Sequence, residues 1–172
     1  RDFLNLLVTG GAGFIGSNLI RQIVDQAEVQ TLVNLDCLTY AGHLENLESV
    51  SRHPRYRFEP VDLRDKPAVL EVMRKHRITH VMHLAAESHV DRSIVGPDEF
   101  IHTNVVGTAV LLDAATAHWR RLPPGRRDAF RFHQISTDEV FGALGAEGAF
   151  SELSPYAPNS PYSASKAAAD HF

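Results

Sequence analysis

Short apolar runs alternate along the chain with longer stretches in which apolar residues recur every three or four positions. The runs "LNLLV" (4–8), "TLVNLD" (31–36), "RFEPV" (57–61), "THVMHLAA" (79–86) and "FRFHQIS" (130–136) read as five strands. Between them, "SNLIRQIVDQ" (17–26), "DKPAVLEVMRKH" (65–76) and "DEFIHTNVVGTAVLLDAATAHW" (98–119) read as helices. Asp65 is placed to cap the second of these, with Pro67 tolerated in its first turn. In the third, Ile101, Val105, Ala109 and Leu112 form the apolar stripe. Near-continuous apolar strands, each followed by a helix, predict an α/β fold: a doubly wound, Rossmann-type parallel sheet in three layers. No internal repeat is visible.

Two connections interrupt the alternation. "HWRRLPPGRRDAF" (118–130) is basic and broken by Pro and Gly. It reads either as a phosphate or partner site or as a solvated helix-to-strand link. "SELSPYAPNSP" (151–161) is irregular, and Ser160 and Pro161 then stand as N-cap and first residue of a further helix, "YSASKAAADHF".

Composition narrows the class. The 172 residues are enough for one domain with a real core, and 44% apolar with 22% charged is near the globular average. A net charge of -4 argues against nucleic-acid or membrane electrostatics. No apolar run approaches bilayer length, and the first residues are too short a stretch for a signal peptide. The missing initiator Met suggests a trimmed start. Cys37 is the single cysteine, so no internal disulfide forms and a reducing, cytoplasmic setting is expected. Ten histidines invite a metal site, but His80 and His83 point to opposite strand faces and His89 falls in a loop, so none is expected.

The candidate chemistry begins at "TGGAGFIG" (9–16). Gly11, Gly13 and Gly16 fit G-x-G-x-x-G; Gly10, Gly13 and Gly16 fit G-x-x-G-x-x-G. Between a strand and a helix, such glycines let the backbone approach a pyrophosphate at the helix N-terminus. Asp36 follows Gly16 by 20 residues, where an acid holds ribose hydroxyls. It would repel a 2'-phosphate, and neither Cys37 nor Leu38 brings a cation, so NAD is expected over NADP. Asp62 either faces the adenine or is a solvated turn residue. Ala85 and Ala86 are small enough for backbone to lie against a cofactor. Tyr162 and Lys166, at i and i+4, share one helix face, where the ammonium would lower the phenol's pKa for proton transfer. Asp138 and Glu139 in "QISTDEVFG" (134–142) are either part of a capping box begun by Ser136 or an acid–base pair.

The glycine loop and "YSASK" resemble the extended short-chain dehydrogenase/reductase superfamily. "LDCLTYAGHLENL", "LAAESHVDRSI", "TNVVGT", "STDEVFG" and "SPYSASKAAADH" resemble, within it, the dTDP-glucose 4,6-dehydratase family over nearly the whole chain. The resemblance implies conversion of dTDP-glucose to dTDP-4-keto-6-deoxyglucose with NAD. Tyr162 takes the C4 hydroxyl proton as hydride leaves C4, Glu139 takes the C5 proton, Asp138 protonates the departing C6 hydroxyl, and hydride returns to C6. It implies that Thr137 bonds the C4 oxygen. It places Ser88, Thr137, Asp138 and Glu139 on the substrate. It places Gly10, Gly13, Phe14, Ile15, Gly16, Asp36, Asp62, Leu63, Ala85, Ala86, Thr103, Tyr162 and Lys166 on the cofactor. It further implies a homodimer, and residues 1–172 as the NAD-binding part of a longer protein whose nucleotide-sugar lobe lies beyond Phe172. Phe141 stands where the family more often has Tyr, and Cys37 where Lys is common. Two other readings stay open: a nucleotide-sugar 4-epimerase or decarboxylase, which uses the same Tyr without the acid pair, and an NAD-binding module without turnover.

Overall fold

The computed structural model describes residues 3–172; Arg1 and Asp2, on which the expectation of a trimmed start falls, lie outside them. The contacts resolve into two compact units. One comprises the chain up to Ala85 together with Val110–Gln134; the other comprises Ala86–Ala109 and Ile135–Phe172.

The first unit is a parallel sheet of five strands in the order β3-β2-β1-β4-β5: β1 Leu4–Thr9, β2 Val29–Leu35, β3 Tyr56–Glu59, β4 His80–His83 and β5 Arg131–Gln134. This is the doubly wound order, with its switch point between β1 and β4. Side chains alternate across it. Leu6 and Val8 of β1 and Leu32 of β2 pack with Ile20 and Val24, which come from α1 (Phe14–Ile23) and the residue after it. Leu7, Val33, Leu35 and Val81 pack on the other face. Their partners are Val69, Val72 and Met73 of α2 (Lys66–Lys75) and Leu111, Ala114 and Ala115. Both faces are covered, which is why the strands read as continuous apolar runs. Asp65 caps α2 by accepting from the Ala68 N–H (3.1 Å), with a proline in the first turn, as expected.

The second unit holds α3 (Val90–Val95), α4 (Asp98–Phe100), a π-helical stretch Ile101–Gly107, a 3-10 turn Asp138–Phe141 and α7 (Pro161–Asp170). α5 (Thr108–Trp119) continues the π stretch, so that Asp98–Trp119 forms one 22-residue helix, and α6 (Pro124–Ala129) follows within the basic connection. The 3-10 segment Leu44–Val50, α3 and α6 were not legible from periodicity; each is too short to show a stripe.

Two expectations need correction. Along Asp98–Trp119 the buried face is Phe100, Asn104, Thr108, Leu111, Ala115 and His118. The stripe Ile101, Val105, Ala109 and Leu112 lies beside it, and Ile101 is 49% exposed. The π turns rotate the register, and buried Asn104, Thr108 and His118 disguise the inner face as polar. The same helix has mean hydropathy 1.2 over its most apolar window and is long and apolar enough to cross a bilayer by composition. Here its polar inner side chains are bonded within the protein: Thr108 Oγ1 to the Asn104 carbonyl (2.6 Å), and His118 Nε2 with the Ile78 carbonyl (2.8 Å).

The shifted face has a direct test. Leu111→Ala should cost ~2–5 kcal/mol, the usual loss for a fully buried leucine, and the half-buried neighbour Leu112→Ala clearly less. Urea unfolding of the two variants measures the difference.

Candidate active site

In the first unit the glycine loop runs from β1 into α1. Each glycine is accounted for differently. Gly10 has φ +70°, and a Cβ there would sit 2.7 Å from the Ala85 backbone. At Gly11 it would strike Asn34 Oδ1 at 2.2 Å, and at Gly16 the Gly10 carbonyl at 2.2 Å. These three are demanded by the protein's own packing. Gly13 is not: its Cβ would meet only the Gly10 carbonyl, at 3.3 Å, and its φ of -75° suits any residue. The space beside Gly13 is therefore a cradle that a side chain would fill. Gly13 is also the N-cap of α1 and has no side chain capping it, so the first-turn N–H groups keep their capacity for an anion. That fits a pyrophosphate. Phe14 and Ile15, in the same turn, are 81% and 65% exposed, available as apolar surface.

Asp36 supports the loop. Its Oδ2 accepts from the Ala12 N–H (3.0 Å) and its Oδ1 from the Leu38 N–H (2.8 Å), which leaves each oxygen a lone pair for a ribose hydroxyl. Asp62 is gripped by Arg64, whose Nη2 donates to it at 2.7 Å, and this hydrogen-bonded guanidinium holds the carboxyl below its usual range. Arg64 is a cation near Cys37 that sequence spacing did not reveal. Because it is paired with Asp62, it leaves the preference for a nucleotide without a 2'-phosphate in place. Burial, then Asp62 and Asp36, push the Cys37 thiol up, so it stays protonated at neutral pH. The Leu63 side chain is in the core, so only its backbone can face a ligand. Ala85 donates its N–H to Thr9 Oγ1 (3.2 Å) and lies against Gly10.

The second unit gathers Tyr162, Lys166 and the acid pair. Three consecutive residues meet three residues spaced four apart on α7. The Lys166 ammonium donates to the Ile135 carbonyl (2.6 Å). The Ser136 hydroxyl donates to Asp170 Oδ2. The Thr137 side chain lies close enough to the Tyr162 phenol to pull its pKa down. Ser136 is thus engaged with α7 and caps nothing. The cap of the 3-10 turn is Thr137, whose Oγ1 accepts from the Glu139 N–H (3.3 Å), so the Ser136–Glu139 capping box does not form. Asp138 is exposed and Glu139 half-buried on this turn.

The helix α7 is held from its other sides. Ser160 and Ser163 form a reciprocal capping box at its start. Ser93, fully buried, accepts from the Tyr162 N–H (3.2 Å). Asn104 exchanges bonds with both the N–H and the carbonyl of Glu87 and donates to Ser165 Oγ (2.9 Å). Asp170 also accepts from the Tyr156 hydroxyl (3.2 Å), and Phe141 packs edge-on against the Tyr156 ring at 5.3 Å, a packing role for this departure from the family pattern. Ser93, Asn104, Ser165 and Asp170 carried no signal by spacing; only buried polar groups joined across distant segments reveal them. Ala86 and Thr103 are half-buried in this unit and Ser88 is exposed.

The expected lowering of the Tyr162 pKa by Lys166 does not occur. Burial pushes the phenol up, the Thr137 hydrogen bond pulls it down, and Glu139 and Asp138 push it up again. The Lys166 ammonium is spent on the Ile135 carbonyl, and its own pKa is lowered, chiefly by burial and against the pull of Asp170. Among the described residues no three His, Cys, Asp or Glu side chains cluster as metal ligands.

The phenol gives a pH prediction. A folded pKa above that of the unfolded chain means that neutral Tyr162 adds stability below pH ~10 which is lost as pH rises through the raised value. Without cofactor, the phenolate absorbance of the protein minus that of Tyr162→Phe should rise only above the ordinary tyrosine range. Thr137→Ala should move it further up and Glu139→Gln down. A midpoint below the ordinary range would restore Lys166 as the activator.

The chain is similar to proteins of known sequence and structure. The GDP-mannose 4,6 dehydratase family matches residues 7–172. The dTDP-glucose 4,6-dehydratase of Neisseria gonorrhoeae is 58% identical over 97% of this chain and 48% of that protein. That of Escherichia coli K12 is 51% identical over 98% and 49%. The crystal structure of the Streptomyces venezuelae dTDP-glucose 4,6-dehydratase with NAD and TYD bound superposes with a TM-score of 0.87 at 43% identity, covering 98% of this chain and 50% of that one. The Thermus thermophilus UDP-glucose 4-epimerase with NAD gives 0.81 at 32%, covering 98% and 49%. The chain spans about half the length of the curated relatives it matches. With a glycine loop at the head of a doubly wound sheet and a Tyr–Lys helix joined to a Thr-Asp-Glu turn, the chain belongs to the GDP-mannose 4,6-dehydratase family.

Proposed function

We propose that the protein containing this chain is a nucleotide-sugar 4,6-dehydratase that converts dTDP-glucose to dTDP-4-keto-6-deoxyglucose. The observation that carries the reading is the Thr137-Asp138-Glu139 turn, whose three side chains all act on the pKa of Tyr162 within one unit. NAD fits the cradle at Gly13, with Asp36 for its ribose, and the names of the most similar relatives point the same way.

Each side chain has one task in this reading. Tyr162 accepts the C4 hydroxyl proton, and Thr137 hydrogen-bonds the C4 oxygen. Glu139 removes the C5 proton, made acidic by the neighbouring ketone. Asp138, when protonated, donates to the departing C6 hydroxyl, and water leaves. NAD, when bound, would supply reversible two-electron oxidation, with hydride taken from C4 and returned to C6. Lys166 holds the Ile135 carbonyl and so the entry to the acidic turn. An epimerase or decarboxylase needs no acid pair at this turn, which is why the dehydratase reading is preferred. We place the protein in the cytoplasm as a homodimer, without nucleic-acid or membrane partners. Ile101 and Val106, 49% and 42% exposed on the long helix, support a face for a second copy.

Incubating the complete protein with NAD and dTDP-, UDP- or CDP-glucose should yield a 4-keto-6-deoxy product from the dTDP sugar, identified by mass and NMR. A product that keeps its C6 hydroxyl would refute the dehydratase. Glu139→Gln should stop solvent deuterium entry at C5 while C4 oxidation persists. Gly13→Val should weaken NAD binding, read by fluorescence, by ~10-fold or more, equivalent to ~1.4 kcal/mol.

A further inference from the structure

The basic connection after α5 takes on a shape in the first unit. Arg121 and Arg126 come from this connection, and Arg74 and Arg77 from the end of α2 and the turn beyond it. The four line an open cleft of about 430 Å³. Its remaining wall is His118, Leu122 and Pro123, so no acidic side chain lines it. It sits where Ile78 and Thr79 lead into β4, at the amino end of the sheet, whereas the glycine loop follows the carboxyl end of β1.

The four guanidinium groups are uncompensated. Other cations nearby have partners: Lys66 of α2 pairs with Asp113, Lys75 with Glu59, and Arg64 with Asp62. Among the described residues none of the four cleft arginines forms an ion pair. Arg127, from the same connection, is instead tied down through Nε to the Leu122 carbonyl (2.6 Å). Arg77 also occupies the left-handed position after α2, at φ +51°, where glycine is the usual choice. Basic residues at helix C-termini complement the helix dipole, but that effect asks only for dispersed, solvated charges. It does not require four of them around one concavity in a chain of net charge -4.

We infer that this cleft is a second anion site, separate from the nucleotide site, that takes a small oxyanion carrying several phosphate groups. Guanidinium forks match phosphate oxygens in bidentate pairs and stay charged at any physiological pH. Four charges lining one cleft call for a multivalent partner, because a single orthophosphate leaves most of them unmatched. The volume is that of a small-molecule pocket, and the overall negative charge of the chain disfavours a long polyanion running beyond the cleft.

Titration calorimetry with inorganic tripolyphosphate, at low salt and with NAD saturating, tests the site. One ion should bind per chain, more tightly than orthophosphate, and addition of salt should weaken it. Arg74→Glu and Arg121→Glu, both exposed and from different segments, should each lower the affinity ~10-fold or more while thermal melting stays unchanged. Arg121→Gln serves if charge reversal disturbs folding and should give a smaller loss. Affinity untouched by these substitutions overturns the inference. So does binding abolished by NAD, which assigns the ion to the glycine loop, or orthophosphate binding as tightly as tripolyphosphate. Heparin binding more tightly than tripolyphosphate, with the same sensitivity to Arg74 and Arg121, would overturn it in favour of a surface for a polymer.

Discussion

Lys166 is 5% exposed, and its ammonium donates to a backbone carbonyl, that of Ile135. A buried cation is costly unless it is hydrogen-bonded or paired, so this contact constrains both partners. It ties the segment leaving the sheet to α7. The next residue repeats the tie one turn later, Ser136 to Asp170, and the one after, Thr137, lies by Tyr162, one turn earlier. Residues 135–137 and the 162/166/170 face of α7 thereby form a short zipper. The two acids emerge from its end on a 3-10 turn whose cap, Thr137, is also the residue that touches the phenol.

The zipper accounts for the electrostatics of the site. Lys166 is held toward the backbone, so it offers little to the phenol. Asp138 and Glu139 are held toward Tyr162 and raise its pKa. The structure therefore presents a protonated tyrosine with the Thr137 hydroxyl beside it. Such an arrangement keeps the phenol neutral at physiological pH, so its deprotonation requires a change in its surroundings.

The glycine loop follows a different logic. Gly10, Gly11 and Gly16 are required by close approaches to Ala85, Asn34 and the loop itself. At Gly13 a Cβ would meet only the Gly10 carbonyl, at 3.3 Å. A glycine motif thus mixes positions that packing demands with one that it leaves open, and the distinction lies in what a Cβ would meet.

The sheet, its parallel order and its principal helices were legible in the sequence because a strand buried on both faces must be apolar along its length. The Asp65 and Ser160 caps, the Gly13 position, the Tyr162–Lys166 face and the adjacent acids were legible for a similar reason: each is a local pattern with fixed spacing. What the sequence could not supply was which side of the Asp98–Trp119 helix turns inward, since π turns break the 3.6-residue count and Asn104, Thr108 and His118 make the inner face polar. Nor could it assign Ser136 to Asp170 rather than to a capping box, pair Arg64 with Asp62, or show that Arg74 and Arg121 share a cleft. Those are choices among polar partners, often far apart in the chain. Spacing determines which groups are available, but the donor that a carboxylate or carbonyl finally takes depends on which side chains packing has already buried.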